Sequence, residues 1–201
     1  MLRSRFAFLI PAPLLALAAA LAGGCAASFE ERDEPAVAAT AEELSCAKTI
    51  PPELAAPAGN KLAFSFDAEG AQIYDCKLGA DGLTGSWVFR APEADLFGKR
   101  GRIAGSHYAG PTWEGLDGST VVAGRVAGVT VDATAIPWLL LQATSNTGDG
   151  RMSDVTFIQR LETVGGLAPA TGCDAAHIGA VADVPYTALY AFYEARRGRG
   201  H

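Results

Sequence analysis

Three histidines and four cysteines are all that 201 residues offer of the side chains most often used for metal and nucleophile chemistry. A metal centre wants several ligands at short spacing. His107, His177 and His201 are widely separated, and His107, Glu114, Asp117 and His177 are the one set that folding could gather; no metal ligand is assigned to them. There is no Gly-x-Ser-x-Gly, which argues against the usual nucleophile elbow of a serine hydrolase. No Gly-x-Gly-x-x-Gly follows a strand-like run, and strands do not alternate with helices, so a dinucleotide-binding fold is excluded and no cofactor is implied. Internal repeats are absent. Charge is scarce as well, at 19% of residues, and its balance is acidic, −6 overall. Loss of the first 24 residues, which carry Arg3 and Arg5 and no acid, would take it to −8. Such a chain is poorly suited to nucleic acid, which is bound by neutralising phosphates. Arg196, Arg197 and Arg199 in the tail at 196–201 are too few to reverse this.

What is present begins with one long apolar run, Phe6 to Leu21, interrupted by Pro11 and Pro13. It is shorter than the ~20 residues of a membrane-spanning helix. Behind two arginines it reads as a secretory signal peptide over residues 1–24. Leu21-Ala22-Gly23-Gly24-Cys25 resembles the bacterial lipobox, which implies a lipid on Cys25 and the membrane as a partner. Cleavage near Ala27 is the alternative. Ala26 stands where an aspartate would retain the protein at the inner membrane, so resemblance to that sorting rule implies the outer membrane of the cell envelope.

Residues 25–49 hold six acids (Glu30, Glu31, Asp33, Glu34, Glu42, Glu43) among alanines and read as a tether. Thr40-Ala41-Glu42-Glu43 has capping-box spacing and predicts a short helix through Cys46. From residue 50 to 195 the pattern is that of strands. Leu62, Phe64 and Phe66 share one face of a first strand, and Ala71–Cys76 alternates after a turn expected at Gly70. Ser86–Arg90 reads as a strand stopped by Pro92, with a helical turn at Glu93–Phe97. Ser119–Val131 alternates, with Gly124 and Gly128 marking bulges or close approach. Ile136–Ala143 is apolar on both faces and predicts a strand covered on both sides. Asp154–Val164 and Tyr186–Tyr193 complete the set. Gly (23) and Pro (11) supply turns throughout. The class is all-β, a single-domain β-sandwich or partly closed β-barrel of about eight strands with long loops.

Six ordered motifs carry a family resemblance: Gln72-Ile73-Tyr74-x-Cys76, His107 to Glu114, Pro137-Trp138-Leu139-Leu140, Val155 to Arg160, Gly165-Gly166 and Val184 to Ala188. Over roughly residues 50–195 the chain resembles domain of unknown function 3455, a family of secreted bacterial and fungal proteins. The resemblance implies export and says little about activity.

With Cys25 lipidated, Cys46, Cys76 and Cys173 allow three single disulfides in an oxidising compartment. Cys76–Cys173 is favoured, because both lie inside the domain and Cys46 lies in the tether.

The densest chemistry is Ser106-His107-Tyr108-Ala109-Gly110-Pro111-Thr112-Trp113-Glu114. Gly105, Gly110, Gly115, Gly118 and Pro111 predict a bent, bulged segment that re-aims side chains. The expected role is binding of a small ligand or an envelope partner around His107–Asp117, through His107, Tyr108, Trp113, Glu114 and Asp117. Trp113, Trp138 and Tyr186 would line an apolar cleft. The alternatives are an enzyme using His107 and Glu114 as an acid/base pair, and a purely structural module in which those two hydrogen-bond within a loop. The sequence leaves the oligomeric state open.

Overall fold

A computed structural model describes residues 49–197. The leader, Cys25, the tether with its helix through Cys46, and residues 198–201 lie outside them. Eight antiparallel strands run in order: β1 Asn60–Leu78, β2 Gly85–Phe97, β3 Ile103–Tyr108, β4 Thr112–Gly115, β5 Thr120–Val129, β6 Trp138–Thr147, β7 Val155–Gly165 and β8 Val181–Ala195. Each pairs with the next, and β8 pairs with β1, so one sheet closes into a barrel. Among the described residues no second sheet faces it. The sandwich alternative therefore falls and the barrel stands.

Alternation decides what fills the interior, since successive side chains of a strand point to opposite faces. Phe66, Ala68, Leu96, Val121, Leu141, Ile158, Tyr190 and Phe192 turn inward with Trp113, and Met152 from the β6–β7 loop joins them. Phe64, Phe66 and Phe192 pack ring against ring. A second cluster lies on the other face of β6. Leu54, from a 3-10 turn at Pro52–Leu54, covers Trp138, Leu140 and Leu161 there. Gln159 fixes this cover by donating to the Leu54 carbonyl at 2.5 Å. The expectation of a doubly covered strand at 136–143 thus holds, and the lead-in segment is its outer lid.

Two expectations are corrected. Gly70 is not a turn: β1 runs unbroken through it, because a Cβ there would collide with the Glu93 carbonyl and stand 2.6 Å from Ala94 Cβ. Pro92 does not stop β2, and Glu93–Phe97 is strand, not helix. Pro92 pairs with Gln72 of β1, while the β2–β3 pairing starts only at Ala94, opposite His107. The missing N–H therefore faces a side where no strand asks for it.

Cys76, at the end of β1, is joined to Cys173, 97 residues away. The long β7–β8 loop is thereby stapled beside the start of β2, where Trp87 Nε1 also donates to the Thr171 carbonyl.

Candidate functional site

The stretch that stands out in sequence is a short hairpin. Gly105, Ser106, His107 and Tyr108 pair with Gly115, Glu114, Trp113 and Thr112 in unbroken register. The predicted bulge is absent from this pair. The bend is instead a tight turn at Ala109–Pro111, which Gly110 makes with φ 104°.

Register separates the candidates. His107 and Trp113 are direct partners and point into the barrel, where their rings stack with centroids 4.1 Å apart. Tyr190 meets both edge-on. Ser106 and Glu114 are the next pair along and occupy the opposite face. There Glu114 accepts a 2.8 Å hydrogen bond from the Tyr108 hydroxyl, and this bond raises the phenol's pKa. The sheet thus stands between His107 and Glu114, and they do not form an acid/base pair. Asp117 is also elsewhere in role. It accepts bonds from the Ser119 hydroxyl and amide and from the Arg151 amide, which hold its carboxyl down at about 2 and tie the β4–β5 turn to the β6–β7 loop. Trp138 belongs to the outer cluster, so it cannot share a cleft with Trp113. Tyr186 is inside, beside Tyr190, with 3.4 Å between hydroxyls.

His107 is the best-defined polar group of the interior. It is 3% exposed. Nδ1 donates to the Thr112 carbonyl at 2.8 Å, because a carbonyl can only accept. Burial, with a smaller push from the Arg160 charge, lowers its pKa to about 3. The ring is neutral near pH 7, and its Nε2 is an acceptor.

Around it is a cavity of about 290 Å³. Its floor is His107, Trp113 and Tyr190, and its walls include Leu139, Leu141, Ala123 and Pro111. Exposed Phe89, Arg90, Gly110 and Arg125 bring it to the surface. The hairpin explains the opening. β2 and β5 continue past the point where β3 and β4 turn back, since Thr112 pairs with Val122 and nothing of β4 lies opposite Ala123 to Val129. The wall is low there, and the side chains of its taller neighbours border the gap. Arg90 is among them, skipped in the β1–β2 register between Phe89 and Ala91 and paired with Asp75.

Two buried donors in the lining have no hydrogen bond to the described residues, Gln72 Nε2 and Trp113 Nε1. The Gln72 amide is near enough to the Tyr186 hydroxyl to counter slightly the upward shift that burial imposes on it, yet makes no bond of normal geometry. Arg160 enters from β7, opposite Tyr190 of β8 and Leu139 of β6. Its Nε and Nη2 both donate to the Pro137 carbonyl, at 3.1 and 2.9 Å. Gln72, Tyr190 and Arg160 are the site residues that sequence reasoning missed. Their signal was a polar residue on an otherwise apolar face: Gln72 shares alternation with Phe66 and Cys76, and Arg160 with Ile158. Among the described residues, no group of three or more His, Cys, Asp or Glu could hold a metal ion.

Residues 57–194 match the family model described as protein of unknown function (DUF3455). No curated protein and no solved structure matches the chain.

Proposed function

This chain belongs to the DUF3455 family, and from that premise we propose that it is a binding protein whose barrel holds one small ligand in the cavity over His107, Trp113 and Tyr190. An eight-stranded barrel has an interior that side chains can just fill, or that can keep room for one small molecule. The observation that carries the reading is the composition of this cavity. Its lining is mostly apolar and includes Gln72 and Trp113, whose side-chain N–H groups are buried with no hydrogen-bond partner among the described residues. A buried donor without a partner costs about 1–3 kcal/mol, and a ligand offering acceptors would recover that once a small side-chain rotation turns the N–H to the cavity. The volume of 290 Å³ is about twice the ~150 Å³ that encloses a benzene ring. The binding region thus keeps His107 and Trp113, on the inner side of the hairpin, and leaves out Tyr108, Glu114 and Asp117.

The test uses the full chain. Incubated with a cell extract and washed, it should retain small molecules that mass spectrometry finds after denaturation. Ala123→Phe, which fills the cavity from its wall, should retain none while still melting cooperatively. Equal retention by both chains, or none by either, would reject the cavity as the site. We also place the protein at the cell envelope, held by lipid on Cys25. Unchanged membrane fractionation of Cys25→Ser would remove that placement.

A further inference from the structure

We propose that the ligand of this cavity is a small organic acid, with its carboxylate on Arg160 and its apolar body against Leu139, Leu141 and Pro111. The proposal rests on the binding function just described and adds the chemical class.

Charge is the first ground. The chain has 22 acids against 16 Lys and Arg, yet the cavity lining contains Arg90, Arg125 and Arg160 and no acid. Arg90 is committed to Asp75. Arg160 is partly buried and has no carboxylate partner among the described residues. A guanidinium withdrawn from water without a counter-charge is costly unless an anion joins it.

Hydrogen-bond geometry is the second ground. Arg160 uses Nε and one Nη2 proton on the Pro137 carbonyl. That fixes the plane of the group and occupies its side fork. The end fork, from Nη1 and the second Nη2 proton, is not bonded to any described carboxylate or carbonyl. It is the two-donor edge that fits a planar carboxylate. Burial raises the pKa of the Tyr190 phenol, and the charge of Arg160 and a hydrogen bond from it offset part of that; a neutral hydroxyl leaves the guanidinium charge uncompensated, and an incoming carboxylate would take its place.

The balance of donors is the third. Gln72 Nε2 and Trp113 Nε1 lack acceptors among the described residues; a carboxylate, whose two oxygens provide about four lone-pair sites, would serve them after a side-chain rotation opens either N–H to the cavity. His107 Nε2 and the Tyr190 hydroxyl are the neutral acceptors of the floor, suited to a hydroxyl elsewhere on the acid.

The test is calorimetric titration of the full chain at pH 7 with five- and six-membered-ring carboxylic acids, benzoate among them, each compared with its own amide, and with inorganic phosphate. Acids should bind at least ten-fold more tightly than their amides and than phosphate. Arg160→Gln should abolish the preference, while Arg160→Lys, which keeps charge but loses the fork, should retain part of it. Binding should weaken only as pH falls through the acid's own pKa, since His107 remains neutral there. Acids and amides bound equally would overturn the carboxylate and leave cavity binding intact. Phosphate bound as tightly as the acids would overturn the apolar body. Failure of every ring compound, acid and amide alike, would remove both this proposal and the binding function. The acid–amide comparison on the unaltered chain decides even if Arg160→Gln does not fold.

Discussion

His107 shows what a single residue's surroundings do to its chemistry. A free imidazole titrates near 6.5, whereas this one titrates at about 3, chiefly because its charged form would be buried. The folded state therefore resists a proton that the unfolded chain accepts. Between pH 6.5 and about 3 the unfolded state binds more protons, so the stability present above pH 6.5 is lost as pH falls through that window. Asp81 and Asp117, both held down to about 2, act later, from 3.8 downward. His107→Gln should thus flatten the fall in melting temperature between pH 7 and 4 and leave the fall below pH 3.5 in place. NMR titration of the native chain should find the His107 ring neutral at pH 5. A pKa near 6 would mean that water reaches the ring freely. The sequence made His107 and Trp113 legible as a candidate site, because polar and aromatic residues crowd there. It could not separate them from Glu114, since which of two adjacent pairs faces inward is settled by the register of the whole sheet. Arg160 and Gln72 were hidden for the same reason: each is an ordinary strand residue until its face is known.

Among the elements, β1 was the least legible. Its 19 residues were expected as two strands hinged at Gly70, because glycine is common in turns. Here glycine serves another end. β1 is paired on both sides, and at Gly70 the backbone of β2 comes so close that no side chain fits. The count of about eight strands held through two offsetting errors, with β1 divided and the β3–β4 hairpin left as a bent segment. Gly70→Ala should destabilise the protein by about 1–3 kcal/mol, as overpacking does, read as a lower denaturant midpoint with unchanged slope. An unchanged midpoint would show that β2 can shift at no cost. By contrast, Tyr186–Tyr193 was plain from its alternation and Asp154–Val164 was read as a strand despite mixed alternation; β8 covers the first, and β7 all of the second but Asp154. Pro92 misled because proline inside a sheet is excluded only where both neighbours demand hydrogen bonds. The shortness of β3 and β4 makes that spot an edge, and no local signal encodes the length of a neighbouring strand.

At the scale of the molecule, the class was legible from turn spacing and alternation, and so was the Cys76–Cys173 link. A loop of this length contributes up to ~4.7 kcal/mol in the chain-entropy model. Closure was not legible, because it joins the two ends of the pattern. β1 and β8 pair from Asn60 with Ala195 to Asp75 with Val181, and β8 brings Tyr186, Ala188, Tyr190 and Phe192 to the interior. A chain stopped after Ala180 should therefore be digested by protease at a concentration the full chain withstands. A resistant core of that truncated chain would show that seven strands suffice.

That ring closure has a consequence for manufacture. The chain is made from its N-terminus, yet its first strand waits for its last. Until residue 195 has emerged, β1 and β7 both offer bare edges, and the apolar face inside has no floor. A nascent chain of this design has no closed sheet until nearly its whole length has been made. The same delay that exposes it to aggregation keeps it threadable, which is the condition a polypeptide must meet to pass through a narrow translocation channel before it folds.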